Sequence, residues 1–411
     1  MHGADSHFGG ETAAVSGSVA LAENPLSASY DFGAEHPMRA ARAELALDLA
    51  RSLGVMDRTS WCRISAPTAE SRELALVHSS TYIAMVRSAG RVPVTILHAF
   101  GLGTNDTPIF EGIHEAASAV VGASISACRS VWSRRTTHAV SLVGGLHHAM
   151  PENASGFCVY NDVAIGIADM LAAGCCRVAY VDLDAHHGDG VETVFASDPR
   201  VLTISIHQDG RTIFPGTGHS TEVGSLAGEG FSVNVPLPPG TSDHEWLRAL
   251  TAVVPVLLRT FRPEVMVAQC GCDAHVRDPL TDLQMTVDGF TVAYQLIHDL
   301  AHELCDGRLI VLGGGGYDLG SAVPRSWSQL LAVVSGEVLP SETAIPEPWR
   351  EFTGHLTGAS APAVLGDRVD PVRWQPWDAG DGDPDNLVDR AIARTRRAVF
   401  PLHALDPFSD R

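Results

Sequence analysis

Six short, nearly continuous apolar runs alternate along the chain with longer stretches of helical periodicity. No other feature restricts the fold as much. The runs cover 138–143, 177–184, 201–207, 231–237, 264–270 and 308–312, and the helical stretches cover roughly 38–53, 112–131, 161–173, 243–260, 287–305 and 321–335. A strand apolar on both faces needs cover on both, and helices between successive strands provide it while returning each strand parallel to the last. The spacing therefore predicts an α/β protein: one domain with a central, mostly parallel sheet and helices on both faces. Residues 1–28, rich in Gly, Ala and Ser, read as a loose tail. The main domain is expected over 29–340. Residues 341–411, rich in Pro, Trp and Asp, read as a C-terminal extension packed on it.

Charge narrows the partners. The 411 residues carry 48 acidic and 28 basic side chains, a net charge of −20, and every basic residue is arginine. Nucleic acid is disfavoured, because binding it calls for clustered positive charge that displaces counterions. A cationic substrate is compatible. The longest apolar run, 250–258, is broken by Thr251 and Pro255, so neither a membrane span nor secretion is expected. Eight cysteines without a CxxC pair read as reduced, mostly buried thiols, and the expected location is cytoplasmic.

In open parallel sheets, ligands bind beyond the carboxyl ends of the strands. Four runs end there in polar, metal-capable residues: Gly144-Gly145-Leu146-His147-His148, Ala185-His186-His187-Gly188-Asp189, Gly271-Cys272-Asp273 and Gly313 to Tyr317. Alternate residues of an extended segment share a face, so Asp182, Asp184 and His186 point the same way. With Asp273 from another strand end, Asp184 and His186 make an Asp₂His set suited to catalytic Zn²⁺ or a related divalent ion. A merely solvated strand end would be the plainer reading. Burying these charges without a cation would, however, cost several kcal/mol (~). His147 and His148 have the carboxylates Asp182 and Asp189 nearby in sequence, and a carboxylate accepting Nδ1–H leaves Nε2 free to handle a proton. The tetraglycine run lacks the Lys-Ser/Thr of a phosphate loop and instead permits a turn that aims the Tyr317 hydroxyl inward, toward a developing oxyanion. His298 and His302 mimic a zincin helix, but no third ligand follows at motif spacing, so they read as a partly exposed flank. No GxSxG occurs, which leaves no signal for a serine nucleophile.

Taken in order, GGLHHAM (144–150), SGFCVYND (155–162), YVDLDAHHGDGVE (180–192), FPGTG (214–218), CDAHVRDPL (272–280) and GGGGYDL (313–319) resemble the signature of the histone deacetylase family. The similarity runs from about His36 to Gln329, and GLGTNDTPIFEGIHEAA (101–117) is similar to its bacterial acetoin-utilisation branch. The resemblance implies an arginase/deacetylase-like fold, with 29–340 as catalytic domain, and zinc-dependent hydrolysis of acetyl-lysine amides. Asp184, His186 and Asp273 would be the zinc ligands, with iron(II) as an alternative ion. His147 and His148, backed by Asp182 and Asp189, and Tyr317 would be catalytic. Phe157 and Phe214 would wall an acyl-lysine tunnel lined by Gly156, Leu280 and Gly315, with Asp106 at the rim holding the substrate backbone and Arg42 at the floor.

A potassium ion would sit on Asp182, Asp184, His186, Ser205 and Ile206, with a second near residues 195–201. In the branch it resembles, an acyl-CoA synthetase is a substrate. Leu146 stands where many eukaryotic members carry Trp, and Asp318 where they often carry Asn. Three rivals remain. An arginase-type enzyme with two manganese ions would need Asp where Gly188 stands. An acetylpolyamine amidohydrolase would share the cationic substrate. A silenced paralogue would only bind acyl-lysine partners, which the complete residue set makes improbable.

Overall fold

The computed structural model describes residues 18–57, 61–368, 370–377 and 382–408. Eight strands form a single sheet: β1 Val19–Glu23, β2 Trp61–Ser65, β3 His138–Ser141, β4 Val178–Asp182, β5 Val201–Gln208, β6 Ser232–Leu237, β7 Val265–Gln269 and β8 Leu309–Leu312. Their order is β2-β1-β3-β8-β7-β4-β5-β6, and every pairing is parallel. Side-chain alternation divides the central strands between two cores. Leu309 and Val311 pack on one face with the helices Ala41–Ser52, Asp243–Phe261, Val287–Cys305 and Ala322–Val334. Ile310 and Leu312 face the other core, with Ile113–Trp132 and Asp162–Ala172. Both faces are thus covered, as a sheet of apolar parallel strands requires.

Two expectations need correction. The loose tail does not extend to residue 28: Val19–Glu23 is a strand inside the sheet, with Val19 to Ala22 at 0–1% exposure and paired on both sides, by β2 and β3. Its alanines mask a strand that its two neighbours stabilise through their ladders. The remainder of that tail, 1–17, lies outside the described residues. The second edge strand, β2, was likewise absent from the expected set. It is half-exposed, and its sequence lacks a continuous apolar run.

In the C-terminal segment, the helices Glu347–Thr357 and Leu387–Val399 contribute Trp349, Val388, Ile392 and Val399 to the same core as the sheet. Arg248 of the helix Asp243–Phe261 donates to Asp389 at 2.7 Å. No described helix is long and apolar enough to cross a membrane.

A candidate metal-dependent active site at the carboxyl edge of the sheet

The loops after β3, β4, β7 and β8 carry the residues singled out above. In the sheet these four strands are immediate neighbours, so all four loops open onto one crevice. Asp184, His186 and Asp273 each place one ligand atom within 4.8 Å of the others. His186 Nδ1 lies 2.9 Å from Asp273 Oδ2 and 3.2 Å from Asp184 Oδ1. All three side chains are buried. Burial opposes charge on His186, yet the two carboxylates push it up to about 10. Asp184 is held well below the usual carboxylate range by His147 and His186 against the cost of its burial. Burial and Asp184 push Asp273 up to about 6. Two carboxylates facing one imidazole thus favour positive charge at the centre of the trio. A divalent cation fits the same demand, with an Asp₂His donor set open to one further ligand.

The backbone around the trio completes its hydrogen bonds. Gln269 Nε2 and the Gly315 N–H donate to Asp184 Oδ2 at 2.7 and 2.8 Å, and the Ala185 N–H donates to Asp273 Oδ1 at 2.8 Å. Gln269, the last residue of β7, was not foreseen. Its only sequence signal is its place just before Cys270-Gly271-Cys272-Asp273.

The two histidines stand side by side. His147 Nδ1 donates to Asp182 at 2.8 Å and His148 Nδ1 to Asp189 at 2.7 Å, while their Nε2 atoms lie 3.0 Å apart. Burial opposes charge on His147, but Asp182 and Asp184 raise it to about 9. Burial and the neighbouring His147 lower His148. An imidazolium at 147 can thus donate through Nε2 to a neutral imidazole at 148. Asn161 and Asp162, also missed from sequence, hold this loop. Asn161 Nδ2 donates to the carbonyls of His147 and Ala149, each at 3.0 Å, and Asp162 accepts from the Gly145 and Leu146 N–H groups. Tyr180 donates to Asp182 at 2.6 Å.

A cavity of about 310 Å³ leads to the trio, lined by Asp106, His148, Gly156, Phe157, His186, Ile213, Phe214, Leu280 and Tyr317. Phe214 is 45% exposed at its mouth. Phe157 meets the Tyr317 ring edge to face at 5.7 Å, and Phe214 meets His148 at 5.0 Å. Gly156 is needed for space and conformation alike: its φ is +53°, and a Cβ there would stand 2.3 Å from His148 Cδ2. Asp278, another residue missed from sequence, accepts from the Tyr317 N–H at 2.8 Å and the Leu280 N–H at 3.0 Å, joining two lining residues. Beneath them Arg42 donates to the carbonyls of Gly314 and Gly316 at 2.7 and 3.0 Å.

Of the other expected site residues, Ser205 pairs in register with Asp182 across β4 and β5, and its hydroxyl shares a hydrogen bond with His207 Nδ1 at 2.8 Å. Ile206 follows it, fully buried. Gly188 lacks the carboxylate that an arginase-type second manganese would need, and a Cβ there would crowd Asp182 Oδ2 at 2.3 Å. Leu146 packs in the apolar cluster behind the histidines, and Asp318 pairs with Arg277 at 3.0 Å.

A cavity lined by His148, His186 and Tyr317, with the buried carboxylates of Asp184 and Asp273 beside His186, is the site of a metal-dependent amidohydrolase. The histone deacetylase domain model matches residues 36–334, and the chain belongs to that family, among its AcuC-type members. It is 41% identical over 328 residues to the acetoin utilization protein AcuC of Bacillus subtilis, covering 79% of this chain and 84% of the relative. To the AcuC of Staphylococcus xylosus it is 35% identical over 322 residues, 78% and 83% of the two chains. Among solved structures, an HDAC homolog complexed with SAHA superposes with a TM-score of 0.79 at 25% identity, over 93% of this chain and 99% of that one.

Proposed function

We propose that this chain hydrolyses the side-chain amide of acetylated lysine on proteins, with zinc held by Asp184, His186 and Asp273 and with iron(II) as the alternative ion. One observation carries the reading: the cavity of about 310 Å³ walled by Phe157 and Phe214 is also lined by His148, Tyr317 and His186, and His186 is one of the three residues whose ligand atoms cluster with those of Asp184 and Asp273. An ion held by these three residues would supply Lewis-acid polarisation of the amide carbonyl and a water acidic enough to attack it near neutral pH. His148 lines the cavity, whereas His147 lies behind it, so His148 removes the proton from the attacking water and returns it to the departing amine. His147 contributes charge through its contact with His148. The Tyr317 hydroxyl donates to the oxygen of the tetrahedral intermediate. Phe157 and Phe214 flank the acyl-lysine stem and exclude water, with Gly156, Leu280 and Gly315 giving it room. Asp106 at the rim accepts from the substrate backbone.

Potassium on the Asp182, Asp184, His186, Ser205 and Ile206 segment would brace the metal loop from below. The proposed setting is the cytoplasm and the proposed targets are metabolic enzymes, an acyl-CoA synthetase first among them. Turnover measured side by side on acetyl-lysine peptides, acetylputrescine and acetylspermidine tests the substrate class. Peptides should be preferred, and faster hydrolysis of the acetylated polyamines would replace this reading with a small-molecule amidohydrolase.

A further inference from the structure

A second group of metal-capable side chains lies at the opposite edge of the sheet. His138 opens β3, so it stands at the amino end of the strand whose carboxyl end leads to His147. His298 and His302 sit one turn apart on the helix Val287–Cys305, on the same side of it. The three rings meet in a triangle with centroid separations of 4.9, 5.1 and 4.6 Å, and one ring nitrogen from each lies within 4.8 Å of the other two. His298 and His302 do lie on a partly exposed flank, as expected, but a third imidazole joins them. The third imidazole comes from a strand far upstream, where motif spacing along the helix could not reveal it.

Three features separate this group from ordinary packing. First, His298 Nε2 and His302 Nε2 share a long hydrogen bond at 3.3 Å, so both nitrogens already point to one spot. Two imidazoles bound to zinc at about 2.0–2.1 Å in a tetrahedral arrangement place their nitrogens roughly 3.3 Å apart. Second, His138 is 2% exposed, and its Nδ1 has no hydrogen-bond partner among the described residues. Buried polar atoms are nearly always satisfied, and leaving one bare costs on the order of 1–3 kcal/mol. Third, burial grades from His138 through the intermediate His298 to the exposed His302, which gives an ion a path from solvent. The Gly307 turn packs close against the His302 ring, where a Cβ would come within 2.8 Å, and so restricts where that imidazole can go.

We propose that His138, His298 and His302 form a second divalent-metal site, separate from the catalytic one, that takes zinc or a similar imidazole-seeking ion. Three neutral nitrogen donors with no carboxylate in the set favour zinc, nickel or cobalt over magnesium or calcium. The fourth position faces solvent beside His302. A bound ion would tie the last two turns of Val287–Cys305 to the start of β3, at the end of that strand remote from the catalytic residues.

The test uses the full-length, untagged protein, stripped with chelator and dialysed against zinc. Bound metal is measured for the wild type and for His298→Ala, His302→Ala, His138→Gln and Asp273→Ala. The wild type should hold about one equivalent more than each histidine variant, and Asp273→Ala should lose the other equivalent while keeping this one. Loading with cobalt should give a tetrahedral visible spectrum in Asp273→Ala that His302→Ala removes. His302 is exposed, so its variant tests the site even if His138→Gln fails to fold. Deacetylase turnover of His298→Ala and His302→Ala should stay within about twofold of wild type. Unchanged zinc content in His298→Ala and His302→Ala would overturn the proposal, as would folded His138→Gln retaining full binding, since the exposed pair alone would then explain it.

Discussion

Tyr317 and His148 face the same cavity as the Asp₂His trio, and neither contributes a ligand atom to it. Their removal should therefore spare metal binding and cost rate. Tyr317→Phe and His148→Ala are each expected to lose at least about 10²-fold in kcat at unchanged metal content, the size of losing an oxyanion donor or an acid–base group. Rate assays paired with metal analysis check this, and near wild-type turnover by either would remove that residue from the mechanism. Gly156→Ala should be nearly as damaging without touching any reacting group: its Cβ would collide with His148, and its φ of +53° disfavours any side chain. The expected signature is a lower kcat from a folded protein with its metal in place. Much of this arrangement was legible in the sequence, because Asp182, Asp184 and His186 follow the period of an extended strand and the paired histidines follow two glycines. Gln269, Asp162 and Asp278 were not legible. Each acts through a backbone group or carboxylate on a distant segment, and only the fold makes that contact.

The four loops converge because β3, β8, β7 and β4 are neighbours, an adjacency that sequence order does not reveal. The alternation of apolar runs and helices was enough to predict a parallel sheet. It was not enough to place β1 or β2, whose short runs are alanine-rich or half-exposed and become strands through pairing. The C-terminal segment braces the site through Asp367. Its carboxylate accepts from His275 Nε2 at 2.9 Å, the Val287 N–H at 2.9 Å and Arg325 at 2.7 Å, and so joins the loop that carries Asp273 to two helices. Burial works against ionisation, but the hydrogen bond from His275 and the charge of Arg325 hold Asp367 well below the usual carboxylate range. Its contribution to stability is thus complete above the unfolded carboxyl value of about 4 and declines as pH falls below it. Asp367→Asn is expected to lower unfolding free energy by about 2 kcal/mol at neutral pH. In urea titrations the gap between variant and wild type should narrow toward pH 3 (~). A gap that is constant with pH would assign the effect to packing.

For the molecule as a whole, the net charge of −20 is carried with no lysine at all. Side-chain autodeacetylation is thereby excluded as a means of control, since no side chain offers the amine. The same surplus acts on substrate approach. A protein this acidic attracts basic segments over distances that salt screens, about 10 Å at 0.1 M and about 3 Å at 1 M. Asp106 at the mouth of the cavity is one fixed part of that field, whereas the buried trio is shielded from solvent ions. Raising ionic strength should therefore lift KM for an acetyl-lysine peptide flanked by arginines several-fold and leave kcat nearly unchanged. A peptide with neutral flanks should show little change in either. If both peptides respond alike, the charge serves solubility alone. If kcat falls with KM unchanged, the salt is acting within the buried site and not on substrate approach.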